Sequence, residues 1–279
     1  MRKINCQLIE NCIYNLALEA CVSLTPDCKT ALNAALKKES GKMSAFALET
    51  LLKNNEIAQK LNIPVCQDTG ISTVFLQIGQ DVFLEGKSLT QAVNDGVRRA
   101  YDEGCFRKSV CDPISRQNTE DNTPAVIHTE IVDGDKITIT FLPKGFGSEN
   151  MSKLYMLKPA QGIDGIISAI VETVKQAGSR PCPPVYVGVG IGGTFEYCAL
   201  LAKKALTREV GILSERKEIA DIEQKALKRI NNLKIGCQGF QGDTTALGVS
   251  CEYAPTHIAG LPVAVNIQCH CIRCKKAVI

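Results

Sequence analysis

The feature that most constrains this chain is a single change in hydrophobic period near residue 62. Before it, apolar residues recur at helical spacing: Ile4, Leu8, Ile9, Cys12, Ile13 and Leu16 share one face of a helix. Thr25-Pro26 reads as an N-cap followed by proline at the first helical position, opening a second helix through about Lys38. Ser44 reads as the cap of a third, with Phe46, Leu48, Leu51 and Leu52 among its apolar residues. After residue 62, apolar runs of strand length alternate with helices and are punctuated by glycine and proline.

Residues 71–78 read as a buried strand, and residues 89–103 as a helix ending at Gly104. The segment "FRKSVCDPISRQNTEDNTPAVIH", 106–128, is a long loop by its Pro, Asn, Asp and Thr content, and loops beyond about 12–15 residues are often functional. Residues 125–142 alternate around "DGD" and predict a hairpin. "GIDGIISAIVETVKQAG" predicts a helix closed by Gly178, and "PPVYVGVGIGG" a strand running into a glycine turn. Helices follow at about 195–206 and 214–232, and the last fifty residues read as strands. Local hairpins with flanking helices favour an α+β fold over a regular βαβ array. We expect one domain, 1–279, mainly helical over 1–62 and an antiparallel-rich α+β core over 63–279.

The chain has 279 residues, with 45 % hydrophobic and 22 % charged residues and a net charge of +3. That is an ordinary globular profile with no basic block, so no nucleic-acid partner is expected. No run approaches the roughly 18 apolar residues of a membrane span. The basic N-terminus lacks the apolar core of a signal peptide, so a cytoplasmic location is expected.

Cysteine is the outlier, with fourteen residues. In a cytoplasmic chain of this length they are poor candidates for a disulfide scaffold. Cys12 and Cys198 in helical patterns and Cys251 in a strand pattern read as small buried hydrophobes. Cys66 in "IPVCQDTG", Cys182 in "SRPCPP" and Cys269 in "VNIQCH" share another setting, a junction between an apolar run and a loop. Such junctions present ligands from rigid elements. Three thiolates could converge on one metal centre, and soft thiolates select zinc, copper(I) or an iron–sulfur cluster, in which three ligands would leave one iron open as a Lewis acid; ordinary buried cysteines are the alternative. "CHCIRC", 269–274, offers a C-x-x-C pair in Cys271 and Cys274, which leaves a non-catalytic zinc or redox protein as a distant alternative.

"LPKGFGSEN", 142–150, and "GFQGDTTALG", 239–248, are glycine-rich turns able to aim backbone amides at an anion, or simply tight turns. Arg98 and Arg99 suit a solvated helix face, whereas Arg107, just past the helix, is better placed for a ligand carboxylate. His257, in "APTHIAGLP", is a lone histidine beside a glycine turn.

Taken together, "PVCQDTG", "GVRRAYDEGCFRKSV", "NTEDNTPAVIH", "PKGFGSENMS", "CPPVYVGVGIGGTFE", "GFQGDTTALGV" and "THIAGLPVAVNIQCH" occur in an order that resembles the class I, iron–sulfur fumarate hydratase family and its relative L-tartrate dehydratase. The resemblance covers most of residues 60–270, and the length resembles the separate α subunit of the two-subunit form. It implies a 4Fe–4S cluster held by Cys66, Cys182 and Cys269. It implies Asp68 and His257 as catalytic residues, and Gln67, Arg107, Gly145 and Gly147 as substrate-binding residues. It also implies a small dicarboxylate substrate and a β subunit that completes the active site, as an α2β2 assembly. The expected activity is reversible hydration of fumarate to (S)-malate, with L-tartrate dehydration as the alternative.

Overall fold

The computed structural model describes residues 1–279. In chain order its elements are β1 (Arg2–Asn5), α1 (Cys6–Val22), α2 (Pro26–Lys38), α3 (Lys42–Leu61), β2 (Ile71–Gly79), β3 (Val82–Glu85) and α4 (Leu89–Glu103). There follow β4 (Val126–Val132), β5 (Ile137–Lys144), α5 (Phe146–Glu149), β6 (Lys153–Leu157), α6 (Gly162–Ala177) and β7 (Val185–Gly192). The chain ends with α7 (Phe195–Ala205), α8 (Lys217–Asn231), β8 (Ala246–Ala254), β9 (Leu261–Gln268) and β10 (Lys275–Val278). The fold is α+β, as the sequence predicts, and no helix is long and apolar enough to cross a membrane.

Two compact units form, neither from one continuous stretch. The first holds Met1–Thr25, Asn54–Phe146 and Arg273–Ile279; the second holds Pro26–Lys53 and Gly147–Ile272.

In the first unit the sheet order is β10-β5-β2-β4. Alternation explains its burial: Val74, Leu76 and Ile78 of β2 and Ile137, Ile139 and Phe141 of β5 join Ile9, Ile13, Val93 and Val97 of α1 and α4 in one core. The expected hairpin at 125–142 is not formed. β2 lies between β4 and β5, pairing in parallel with one and antiparallel with the other. The "DGD" turn therefore spans a strand instead of closing a pair. Ser44 is not a helix cap: it lies fully buried inside α3, donating to Glu39 Oε2 at 3.0 Å and accepting from Cys237 N at 2.9 Å.

In the second unit the sheet order is β6-β9-β7-β8. β7 is buried along its whole length, which its sequence explains face by face. Val185, Val187, Val189 and Ile191 join a core with Ile166, Ile170, Ile222 and Ile230 of α6 and α8. The opposite face presents Gly188 and Gly190 to α7. A β carbon on Gly190 would lie 2.0 Å from the Cys198 carbonyl, and one on Gly188 2.3 Å from that of Ala202. The glycines are thus strand positions that admit a helix backbone, and not only a turn. Cys198 and Cys251 are buried as expected, while Cys12 is half-buried.

Gly190→Ala should therefore lower stability by about 3 kcal/mol through overpacking. Gly260→Ala is the control, because a β carbon there meets only the His257 carbonyl at 4.0 Å. Urea unfolding of both variants beside the unsubstituted chain measures the difference.

Candidate active site

In the first unit the chemistry gathers at the entry to β2. The approach is pinned at Val65, whose N–H donates to the Cys21 carbonyl at 3.0 Å and whose carbonyl accepts from Asn54 Nδ2 at 2.9 Å. Cys66 follows, half-buried, and Gln67 is exposed. Asp68 then folds back on the chain. Its Oδ1 accepts from Gly70 N at 3.0 Å and its Oδ2 from Phe146 N, just past β5, also at 3.0 Å. Gly70 makes this turn possible. It sits at φ +81°, and a β carbon there would lie 2.7–2.9 Å from the Lys144 backbone.

The carbonyls of this turn are held from inside the unit. Arg273 Nη2 donates to Asp68 O at 3.0 Å. The Tyr101 hydroxyl donates to Thr69 O at 2.9 Å, within 3.1 Å of Gly70 O as well. Asn122 Nδ2 reaches Gly70 O at 3.2 Å. Thr69 Oγ1 donates to the Arg107 carbonyl at 2.9 Å, so the Arg107 backbone is anchored beside the turn while its side chain is exposed. Burial pushes the Tyr101 hydroxyl well above its ordinary pKa, keeping it a donor. Arg98 does form an exposed network, with Asp95 and Asp121, and Arg99 lies over the Tyr14 ring.

The two glycines of "KGFG" differ. Gly145 is buried, and a β carbon on it would meet Asp68 Oδ2 at 3.1 Å. Gly147 is exposed, and its nearest neighbour to such a carbon is the Arg180 carbonyl at 4.0 Å. Gly145 thus makes room for the carboxylate, and Gly147 does not.

In the second unit two of the predicted ligands share one end of the sheet. Cys182 precedes β7, Cys269 follows β9, and Tyr186 pairs with Gln268 between them. Cys182 is exposed and sits at φ +53°, a conformation uncommon outside glycine. Its carbonyl lies 3.4 Å from His270 N and 3.0 Å from His270 Nδ1. The Gln238 side chain donates to Pro183 O at 3.1 Å. Gln268 Nε2 donates to Cys269 Sγ at 3.6 Å.

His257 lies elsewhere. It precedes β9 whereas Cys269 follows it, and an eight-residue strand spans roughly 26 Å. His257 is exposed, accepts from Ala259 N at its Nδ1 at 3.2 Å, and lines a cleft of about 480 Å³ with Thr194, Glu196 and Thr256. Within this unit the structure does not bring it to the cysteine end.

Burial sorts the thiols. Cys6, Cys21, Cys28, Cys198, Cys237, Cys251 and Cys271 are buried, and desolvation raises the pKa of the first six. Cys21 and Cys198 are pushed up to about 11, and Cys28 and Cys237 to about 12. Such groups make poor thiolate ligands near neutrality. Cys66, Cys182 and Cys269 all keep solvent access. Their donor chemistry fits a thiolate-held cluster. Neither unit by itself gathers three or more Cys, His, Asp or Glu side chains able to hold a metal ion.

A sequence model described as Fumarate hydratase (Fumerase) matches residues 10–278. The chain belongs to that family. It is a hydro-lyase. A protein of Methanocaldococcus jannaschii, provisionally named L(+)-tartrate dehydratase subunit alpha, is 43 % identical over 267 residues, covering 94 % of both chains. The L(+)-tartrate dehydratase subunit alpha of Escherichia coli is 31 % identical over 235 residues, covering 83 % of this chain and 77 % of that one. A Shigella boydii protein of the same name matches equally.

The sequence reading missed Arg273, Tyr101, Asn122, Gln238 and His270. Tyr101 and Asn122 lie inside segments that carry the family resemblance, but nothing in their spacing marks them as donors to residues 69 and 70.

Alkylation of the metal-free chain near pH 8 should modify exposed Cys105 and Cys182 early. Buried Cys6, Cys21, Cys28, Cys198, Cys237 and Cys251 should react only as the pH rises toward their raised pKa values, because the reactive thiolate is the form that burial disfavours. Peptide mapping by mass spectrometry across pH reads this order.

Proposed function

We propose that this chain is the cluster-bearing α subunit of a hydro-lyase that interconverts fumarate and (S)-malate. The observation that carries this reading is the Asp68 turn, a carboxylate held by two backbone amides beside exposed Gln67 and the anchored Arg107 backbone. Adding water to a carbon–carbon double bond beside carboxylates needs groups that grip the carboxylates and groups that move a proton. Arg107 would pair with a substrate carboxylate through its planar fork, and the Gln67 amide would bond a second oxygen. Asp68 would orient the substrate hydroxyl or relay a proton at a carboxylate oxygen. We assign the ligands as Cys66, Cys182 and Cys269; a 4Fe–4S cluster bound by them would supply Lewis acidity at the iron without a protein thiolate. We assign the substrate-side glycine contact to Gly145 rather than Gly147, and give His257 no step, because it lies at the other end of β9.

The substrate is a dianion, and one arginine is a poor match for two carboxylates. We therefore propose a β subunit that supplies further cations, in an α2β2 assembly; the relatives' names as alpha subunits support this. A cytoplasmic location accords with fourteen cysteines. The same relatives' names favour a second reading, L(+)-tartrate as the substrate.

Co-production with the partner, anaerobic loading with iron and sulfide, and parallel assays of fumarate hydration and L(+)-tartrate dehydration decide between them. We expect turnover of one substrate by the pair and none by the α chain alone. Turnover of neither by a fully loaded pair contradicts the proposal. Gly145→Ala should lower kcat about tenfold or more in the active assay, by displacing the Asp68 carboxylate.

A further inference from the structure

We propose that Arg273 is a positioning residue for the 66–70 turn, acting through the carbonyl of Asp68. It comes from "CHCIRC", where the cysteines draw attention and the arginine does not. The side chain is among the largest fully buried ones in the protein, with the residue 1 % exposed. Burying a guanidinium costs solvation that ordinary packing does not return, so its location calls for an explanation.

The geometry supplies one. Nη2 donates to Asp68 O at 3.0 Å. A β carbon on Gly145 would lie 3.8 Å from that nitrogen and 3.1 Å from Asp68 Oδ2. The guanidinium, the Gly145 backbone and the Asp68 carboxylate therefore form one packed group. Tyr101 takes the next two carbonyls, so three successive peptide oxygens are fixed by buried side chains. With the main chain held, the carboxylate can accept from both Gly70 N and Phe146 N. The charge also reaches Cys21 and Tyr101, partly opposing the burial that raises both. Its effect on catalysis would pass through Asp68, whose carbonyl it holds.

The catalytic half of this assignment rests on the proposed function, whereas the structural half does not, and the test separates them. Amide hydrogen exchange is measured in the full-length metal-free chain carrying Arg273→Lys or Arg273→Gln. We expect exchange at Gly70 and Phe146 to rise about tenfold or more in Arg273→Gln, and to a smaller degree in Arg273→Lys, which keeps the charge but loses the fork. Amides of Val74 and Leu76 in β2 should keep their protection; a merely structural role would loosen them together. In the loaded enzyme with its partner, kcat should fall about tenfold or more while KM stays within about threefold, with Arg273→Lys partly restoring kcat. Unchanged exchange at Gly70 and Phe146, or equal loosening throughout β2, overturns the proposal. If Arg273→Gln does not fold, Arg273→Lys carries the test, and no local rise in that variant overturns it. An unsubstituted enzyme inactive on both substrates defeats the functional reading but leaves the exchange result to judge Arg273.

Discussion

The backbone of Gly70 lies against the backbone of Lys144 with no room for a β carbon between them. That close approach joins the start of β2 to the end of β5, where Ile71 pairs with Lys144. Everything proposed for the first unit depends on it. Only with these strand ends in register does the Asp68 carboxylate reach Phe146 N, and only with Gly145 beside it does the carboxylate fit. The turn is then held from below by donors that are themselves buried: Tyr101 from α4, Asn122 from the long loop, and Arg273 from the C-terminal segment. The site is exact because its support is assembled from distant parts of the chain.

The second unit uses small residues for a different purpose. Gly188 and Gly190 let α7 lie directly on β7, while the valines between them fill the opposite core. The sheet is thereby covered on both faces. One end carries Cys182 and Cys269, tied through His270 and the Cys182 carbonyl. The other carries His257. A strand's length, some 26 Å, separates these groups, which is why the proposed reaction gives His257 no step.

Helices were the most legible part of the sequence, because their periodicity is local. α2 begins at Pro26 and ends at Lys38, and α4 ends before Gly104, as read. Pairing between strands was not legible, because alternation reports which face is buried and not which neighbour is bonded. Residues 125–142 carry a good hairpin pattern, yet β2 is inserted between the two strands. Ser44 has the chemistry of a cap but spends its hydroxyl on Glu39 and the Cys237 amide, contacts 5 and 193 residues away. The candidate site was legible where its residues are adjacent in sequence, as in Cys66, Gln67 and Asp68. It was illegible where support arrives from far along the chain: Arg273 stands 205 residues from the carbonyl it holds.

The central claim is that three solvent-accessible thiols at strand–loop junctions, and no others, hold the metal. Iron and acid-labile sulfide content, measured after identical anaerobic loading of single cysteine-to-serine variants, tests it most directly. Cys66→Ser, Cys182→Ser and Cys269→Ser should each lose most of both, while Cys105→Ser, Cys111→Ser and Cys274→Ser should retain the full complement. Full retention in any of the first three, or a loss of equal size in any of the second three, would contradict the account.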